Sequence, residues 1–411
     1  MNTNTFHLLK TSRFLPLFIT QFFGAFNDNV FKNAMAILMV YRLANTVHMN
    51  SETLVMLAGA IFIIPFFLFS SLAGQLADKY EKSRLIAIIK LIEIILMLIA
   101  ACSFYTANLY LMFFVLWMLG MHSTFFGPLK YAILPDQLHE NELVAGNGLI
   151  EAGTFLAILI GTMIGSGFIL HMHGTLLISS LLLLVALGGW ISSFYIPVSS
   201  NYNSTIKINF NILHGTWRLM VYATQRKDIF LSILGISWFW LFGSVFLLAL
   251  PVFVKDSLHA GATIVTLFLT LFSVGLGIGA ILCNKLVKGK VDTRYVPLGV
   301  LGVSIFTIDL YFASHYPFAS INGWRLSLDL LLMAICGGIY TVPLYGLMQQ
   351  RSELSHRSRV IASNNILNAL FMVMGALAAT ALGKMGLSVS QILLAMAIVN
   401  LLVAIGLSFR R

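Results

Sequence analysis

The chain has 411 residues, of which 59% are hydrophobic and only 10% carry a charge. A soluble globular domain has about 25% charged residues, so this composition excludes a fold that lies mainly in water. The formal net charge of +10 would suggest nucleic-acid binding on a soluble chain, but the positions of the basic residues decide against that.

The apolar residues are gathered into twelve stretches, each long enough for the ~20 residues with which a helix crosses a bilayer. The stretches lie near residues 16–43, 52–73, 85–105, 109–134, 143–170, 175–197, 228–254, 262–284, 295–313, 326–348, 360–383 and 388–409. The connections between them are short. The sequence therefore predicts an all-α membrane protein with twelve transmembrane helices and no sizeable soluble domain.

Lysine and arginine are distributed unevenly among the connections. If the N-terminus is cytoplasmic, nineteen of the 25 lie in cytoplasmic segments and four lie outside, while Lys32 and Lys90 fall inside spans. Cytoplasmic connections of membrane proteins carry such an excess of positive charge. We therefore expect a multi-pass protein of the bacterial inner membrane, with both termini in the cytoplasm together with Arg410 and Arg411, and no nucleic-acid partner.

The first span is apolar except for a polar segment in its middle, Asn27-Asp28-Asn29, with Lys32 one helical turn after Asp28. An ionised group at the centre of a membrane helix costs ~2.5–3.5 kcal/mol, so such groups are usually kept for a function. Asp28, Asn29 and Lys32 are therefore predicted to bind substrate or a coupling ion. The alternative is a buried ion pair between Asp28 and Lys32 that only fixes the packing.

The loop after the second span reads Gly74-Gln75-Leu76-Ala77-Asp78-Lys79-Tyr80-Glu81-Lys82-Ser83-Arg84. It resembles the G-x-x-x-D-[RK]-x-G-[RK]-[RK] loop of the major facilitator superfamily, although Glu81 replaces a glycine and Ser83 interrupts the last basic pair. A carboxylate here can cap the positive end of a neighbouring helix. A gate is therefore predicted, and the alternative is an ordinary basic loop. The predicted gate residues are Gly74, Asp78, Lys79 and Arg84.

Two later spans also contain polar groups. In the third span Lys90 and Glu93 form a second internal pair, unless Lys90 reaches the nearby head-groups instead. In the fifth span Asn147, Glu151 and Thr154 lie on one helical face, and the first two are predicted to face a substrate cavity. The same helix has small residues every four positions, which predicts close approach of a neighbouring backbone. They are Gly153, Ala157, Gly161 and Gly165.

The most polar connection divides the spans six and six. Pro128-Leu129-Lys130-Tyr131 resembles Pro343-Leu344-Tyr345, and residues 145–152 match residues 362–369 as A-x-N-x-φ-φ-polar-A, where φ is Leu or Ile. Such repeats are typical of transporters with two related halves around a central cavity. The predicted organisation is an N-terminal six-helix bundle (1–200), a cytoplasmic linker (201–227) and a C-terminal six-helix bundle (228–411).

The C-terminal spans are poorer in polar motifs. Ionisable chemistry is therefore expected to be concentrated in the N-terminal half. Aromatic residues of the seventh span are expected to supply an apolar wall of the cavity, unless they face lipid. They are Trp238, Phe239, Trp240, Phe242 and Phe246.

Residues 21–29, 127–134 and 145–152 together look like the bacterial lysophospholipid transporter family, which belongs to the same superfamily. The resemblance is close in the first half of the chain and loose in the second. It implies a major facilitator fold that moves lysophosphatidylethanolamine and related lysolipids to the inner leaflet by alternating access. It also implies roles for Asp28, Lys130 and Glu151, which match the acid of the family's first helix, the lysine of its fourth and the acid of its fifth.

The chain departs from this family in two respects. Well-known members have an arginine in helix 7 that is proposed to meet the lipid phosphate, whereas the stretch near Val245 and Phe246 is apolar. Some members are fused to an acyltransferase and an acyl-carrier-protein synthetase, and here we expect those enzymes to be separate partners. We expect a monomer without a metal or cofactor, and coupling to Na⁺ or H⁺ is left open.

The two alternatives to lysolipid transport are export of another small molecule and membrane-embedded enzyme activity. The same fold could export a drug, a siderophore or another small amphipathic metabolite. A membrane-embedded enzyme would need a nucleophile with its base, or a metal site. The sequence has no HExxH motif, and its three cysteines, Cys102, Cys283 and Cys336, lack metal-site spacing. We therefore expect a transporter and not an enzyme.

Overall fold

A computed structural model gives the fold and describes residues 5–43, 51–316 and 320–408. These residues form helices joined by short connections, and no strand occurs among them. Arg410 and Arg411, which were expected in the cytoplasm, lie outside the described residues.

Twelve long helices, α1 to α12, follow the predicted spans. Their bounds are Leu15–Leu38, Ser51–Lys79, Lys82–Tyr105, Leu109–Ala132, Leu143–Phe168, Gly174–Ser193, Lys227–Val252, Ala262–Leu286, Val296–Ala313, Ser320–Arg351, Arg357–Lys384 and Val389–Ser408. Ten of them, α2 to α11, are long and apolar enough to cross a membrane. The polar middle of α1 lowers its hydropathy, and the apolar run of α12 is shorter. The all-α fold class with twelve long helices is confirmed.

The first helix packs along the fifth through the predicted small residues. A Cβ on Gly161 would come within 2.8 Å of the carbonyl oxygen of Phe26, and a Cβ on Gly165 within 2.4 Å of that of Val30. Side chains at these positions would push the two backbones apart. The predicted close approach of a neighbouring backbone is therefore confirmed, and it places the polar middle of α1 beside α5.

Glu81 stands at the junction between α2 and α3 and caps α3. Its carboxylate accepts hydrogen bonds from the backbone N–H groups of Ser83 at 2.9 Å and Arg84 at 2.7 Å. Burial opposes ionisation of Glu81, but these bonds and one from the N–H of Ser199 outweigh it and lower its pKa. Glu81, which stands where the superfamily loop has a glycine, thus serves as the cap of α3.

The connection between α6 and α7 contains one more helix, Ile212–Gln225, which we call the linker helix. Its buried Leu219 packs with Ala362 and Ile366 of α11, while Trp217 on the opposite face is exposed. The N–H of Asn209, just before the linker helix, donates to Oε1 of Gln75 in α2 at 2.8 Å. This segment therefore contacts both the N-terminal and the C-terminal helices.

The N-terminal helices approach the C-terminal helices closely at one end of the bundle. A Cβ on Gly148 of α5 would lie 3.0 Å from the carbonyl oxygen of Ala280 in α8, and a Cβ on Gly74 of α2 would lie 2.9 Å from Cα of Arg359 in α11. We call this end of the bundle the basic face. It is defined by Lys82, Asp136 and Arg357.

Candidate functional site

Asp28 is buried in the middle of α1, and its carboxylate faces α4. Its Oδ2 accepts a hydrogen bond of 2.6 Å from the hydroxyl of Ser123, while its Oδ1 has no partner among the described residues. The ammonium of Lys32 does not pair directly with this carboxylate in the described part of the chain. It lies over the ring of Phe62, 4.4 Å from the centroid. The expected i,i+4 ion pair is therefore not formed, because each group has another partner.

Asn29, the third polar residue predicted in α1, is turned towards its own helix. Its Nδ2 donates to the carbonyl oxygen of Ala25 at 2.7 Å. One turn later Asn33 donates to the hydroxyl of Thr162 in α5 at 3.1 Å. Asn33 therefore joins the two helices, whereas Asn29 bonds within α1.

Lys130 and Glu151 meet at the ring of Tyr131. The hydroxyl of Tyr131 donates to the carboxylate of Glu151, and the ammonium of Lys130 lies 4.8 Å from the centroid of the same ring. The ring of Tyr131 stacks on that of Tyr345 from α10, with centroids 4.7 Å apart and planes 10° apart. The predicted site residues of α4 and α5 therefore lie against a C-terminal helix.

Asn147 is joined to α10 by a reciprocal pair of hydrogen bonds. Its Nδ2 donates to Oε1 of Gln349 at 2.6 Å, and Nε2 of Gln349 donates back to its Oδ1 at 2.9 Å. Gln349 also donates to the carbonyl oxygen of Tyr131 at 3.1 Å. Asn147 is thus occupied by protein contacts and closes the space between α4, α5 and α10.

Asp78 caps the N-terminus of α11, in agreement with the predicted capping role. Its Oδ1 accepts from the N–H of Ser358 at 2.9 Å, and its Oδ2 accepts from Nε of Arg359 at 2.9 Å. Gly74 lies one turn earlier, where a Cβ would collide with α11. Lys79 and Arg84 do not take part: Lys79 lies over the ring of Tyr80, and the side chain of Arg84 is exposed.

Asp136 is a second acidic centre at the basic face, and the sequence analysis missed it. Its carboxylate is 3.1 Å from Nζ of Lys82 and 3.1 Å from Nη1 of Arg357, and it accepts from Ser199 at 2.6 Å and Asn201 at 2.8 Å. It therefore links three parts of the chain: the N-terminal helices, the connection that follows α6, and helix α11. The sequence around Asp136 gave no signal, since Lys130 is the only lysine or arginine near it and Glu140 and Glu142 follow it.

Lys90 and Glu93 form a buried ion pair of 2.6 Å, with side chains 0% and 1% exposed. Lys90 does not reach the membrane surface, so the internal pair is the correct alternative. Asn27 donates to Oε1 of Glu93 at 3.0 Å, and Nε2 of His122 lies 3.3 Å from Oε2, the oxygen that Lys90 binds. His122 was not singled out from the sequence.

The C-terminal helices contain an ionic cluster that the sequence analysis also missed. Nε of Arg325 in α10 donates to Asp309 of α9 at 3.0 Å, and the buried Asp329 of α10 lies beside both. Ionisable groups are therefore less concentrated in the N-terminal half than expected.

Three of the predicted aromatic residues of α7 lie inside the protein. Phe239, Phe242 and Phe246 are all less than 7% exposed. Phe239 and Phe242 line a small apolar cavity together with Phe272 of α8 and Met333 of α10. A group of apolar side chains is thus present among the C-terminal helices.

The family model described as Major Facilitator Superfamily matches residues 17–376, which run from α1 into α11. Among curated proteins, the lysophospholipid transporter LplT of Escherichia coli O1:K1 / APEC is 28% identical over 366 residues, which cover 86% of this chain and 84% of the relative. The LplT of Escherichia fergusonii is 28% identical over 360 residues, with the same coverage.

Solved structures share the fold at low identity. A bacterial homologue of the iron transporter ferroportin in an outward-facing state has a TM-score of 0.69 and 16% identity, with 96% of this chain and 100% of that chain covered. The fucose:proton symporter of E. coli has a TM-score of 0.71 and 12% identity, with 98% and 100% covered. These matches concern the arrangement of the helices alone.

Proposed function

This chain belongs to the Major Facilitator Superfamily, and from that premise we propose that it is a lysophospholipid transporter of the bacterial inner membrane. The similarity to LplT over 86% of the chain supports the substrate class. A lysophospholipid has an anionic phosphate in its head-group and a single acyl chain. A transporter for it needs a cationic site within the membrane and an apolar surface nearby.

The observation that carries the proposal is the state of Lys32 and Lys130. Both ammonium groups lie over aromatic rings at 4.4 and 4.8 Å, and neither has a carboxylate within ion-pair distance among the described residues. A cation on a ring face is held less strongly than one in a desolvated ion pair. Both side chains are partly exposed. They are therefore suited to take up a phosphate.

We assign the acyl chain to the apolar residues of the C-terminal helices, which would have to separate to admit it. Phe239, Phe242 and Phe272 offer aromatic contact there, and Val245 and Phe246 add no charge. Burying each methylene group of a chain is worth about 0.8 kcal/mol, so a surface of this kind can retain a lipid tail. A soluble metabolite without a tail would gain nothing from it.

The contacts that close the basic face support transport by alternating access. We take this face to be cytoplasmic, because the basic connections belong there by the positive-inside rule. In this arrangement the ion pairs of Asp78 and Asp136 seal the cytoplasmic side. A lysolipid is then taken from the outer leaflet, and opening of the basic face releases it to the inner leaflet. A separate acyltransferase is the proposed consumer of the product, and a monomer is the proposed unit.

The test is uptake of labelled lysophosphatidylethanolamine by spheroplasts that express the chain, with a panel of drugs and siderophores as competitors. We expect uptake that excess unlabelled lysolipid abolishes and the panel leaves unchanged. Lys32→Met and Lys130→Met should each raise KM roughly tenfold to a hundredfold, the size of one lost charge-assisted hydrogen bond. Lys207→Met, a change in the exposed linker, is the matched control. No uptake of lysolipid, or export of a drug instead, would contradict the proposal.

A further inference from the structure

Four polar side chains lie buried between α1, α3 and α4, apart from the two lysines assigned to the phosphate. They are Asn27, Lys90, Glu93 and His122, all less than 7% exposed. Lys90 and Asn27 each bind one oxygen of the Glu93 carboxylate. His122 approaches the same carboxylate at 3.3 Å, but without hydrogen-bond geometry. The question is what His122 does there.

The ion pair of Lys90 and Glu93 is complete without the histidine. The ammonium of Lys90 occupies the space beside Gly24, where a Cβ would lie 2.3 Å from Nζ, and it also faces the ring of Phe126 at 4.7 Å. One positive and one negative charge therefore compensate each other in a site shaped for them. This pair accounts for the packing, and His122 is not needed to balance it.

His122 is left without a partner at both ring nitrogens, among the described residues. Buried polar atoms are normally hydrogen-bonded. The carboxylate of Asp28 is incomplete in the same way, since its Oδ1 has no partner, and it interacts electrostatically with His122. Ser123, the next residue after His122, holds the other oxygen of Asp28. The imidazole thus lies 3.3 Å from the carboxylate of Glu93 and interacts electrostatically with that of Asp28.

We propose that His122 is a proton-binding site of this transporter and that a proton is the ion coupled to lipid movement, an inference that rests on the proposed function. A protonated imidazole has two donors in place of one, and the carboxylate of Glu93 lies 3.3 Å from Nε2. Histidine is the side chain that takes up and releases a proton near neutral pH. The described residues contain no group of three His, Cys, Asp or Glu side chains that could hold a metal ion instead.

The charged surroundings of His122 come from two helices. α1 contributes Asp28 and, one turn on, Lys32, and α3 contributes Lys90 and Glu93. The other long helices that pack against α4, namely α2 and α11, have charged residues only in their end turns. Nε2 of His122 lies 3.3 Å from the carboxylate of Glu93, while Lys90 also faces the ring of Phe126 and Lys32 that of Phe62. A proton added to the imidazole would therefore have a carboxylate acceptor close by.

Asp28 connects this proton to the lipid. Its charge acts on both Lys32 and Lys130, and so it reduces the positive potential that a phosphate would meet. When His122 is protonated, its positive charge compensates the negative charge of Asp28. The positive potential that the two lysines present to a phosphate then rises. Proton and phosphate then favour each other, which is the thermodynamic condition for movement in the same direction.

The test uses the full chain in liposomes and two assays of lysophosphatidylethanolamine. One is exchange of labelled for unlabelled lipid without a gradient, and the other is net uptake driven by a pH step of one unit across the membrane. For the wild type we expect exchange and at least threefold stimulation of net uptake by the proton gradient. His122→Asn should lose the stimulation, measured as the ratio of net uptake to the variant's own exchange rate. His173→Asn, at an exposed histidine, should behave as the wild type.

Several outcomes would overturn the inference. Stimulation that persists in His122→Asn, or stimulation by a sodium gradient alone, would show that His122 does not bind the coupled proton. If His122→Asn fails to insert, proton entry is measured with a pH-sensitive dye inside wild-type liposomes. Liposomes that exchange lipid, but take up no protons during net lipid uptake, would also exclude His122 as the site of the coupled proton. Absence of lysolipid exchange in the wild type would instead refute the proposed function, and the inference with it.

Discussion

Asp78 at the end of α2 binds Arg359 at the start of α11, with 2.9 Å between Oδ2 and Nε. The other oxygen of the same carboxylate accepts the N–H of Ser358, so Asp78 meets both a charged side chain and the positive end of the α11 dipole. The two residues are 281 positions apart in the chain. Their contact holds N-terminal and C-terminal helices together at the basic face.

Replacement of Asp78 by Asn should therefore change turnover more than binding. The charge at the helix terminus and the ion pair are lost, and each is worth roughly 1 kcal/mol. The balance between the closed and open basic face should shift about five- to thirtyfold. Exchange rates of lysolipid in liposomes should change by a comparable factor, whereas its equilibrium affinity should stay within about twofold. Arg359→Gln should reproduce the effect, and Arg84→Gln in the same loop should not. Unchanged turnover in Asp78→Asn would remove the gate role.

The capping role of Asp78 could be predicted because it needs only a carboxylate at the mouth of a helix pair. The helices themselves were equally predictable, since length and hydropathy define a membrane span. The contacts of α1 could not be predicted. Helical periodicity places Asp28 and Lys32 on one face but does not say which residues that face contacts. In the structure, Ser123 is the partner of Asp28 and Phe62 that of Lys32. The contacts of Asp28 with Ser123 and of Lys32 with Phe62 outweigh the i,i+4 ion pair between Asp28 and Lys32.

Residues that act between distant helices were also beyond the sequence. Gln349 meets Asn147 across 202 positions, and Arg357 meets Asp136 across 221. No local pattern encodes such distances. Gln349 follows the Pro343-Leu344-Tyr345 segment by four residues, so the repeat pointed to the correct helix but not to the side chain. The division into two six-helix bundles stays a prediction.

The Asn147–Gln349 pair provides a second measurable coupling. Each single replacement by Ala leaves the partner amide buried without its hydrogen bonds, which costs about 1–3 kcal/mol. The double replacement removes both amides together and should be less destabilising than the sum of the singles, with a coupling energy of roughly 1–2 kcal/mol. Thermal unfolding in detergent of the wild type and the three variants measures this. Strictly additive effects would show that the two side chains do not interact in the protein.

Topology can be tested with single cysteines at exposed positions. Ser204 and His259 are both exposed, and the predicted topology places them on opposite sides of the membrane. In a background with the native cysteines replaced, Ser204→Cys should therefore react only with reagents that reach the cytoplasm. His259→Cys should react only with external reagents. Lys82 is a poor reporter, since it is bound to Asp136 and 3% exposed. Asn50, which the prediction places outside, lies outside the described residues. Labelling from the opposite sides would refute the positive-inside argument.

The last prediction concerns Asp28, whose neutralisation should abolish transport while the protein still folds and inserts. Asn can accept the hydrogen bond from Ser123 as Asp does, so Asp28→Asn keeps the α1–α4 contact and loses only the charge. If Asp28 merely compensated Lys32, the double variant Asp28→Asn with Lys32→Met would restore charge balance and function, since replacing a buried pair by apolar groups is often tolerated.

The structure argues against that rescue, because Lys32 lies over Phe62 and is not paired with Asp28. We therefore expect both the single and the double variant to reach wild-type abundance in the membrane and to show no lysolipid uptake. Ser123→Ala, which removes the hydrogen bond and keeps the charge, should retain part of the activity and is the control for packing. Wild-type uptake by the double variant would make the pair structural and move the site to Lys130 and Glu151.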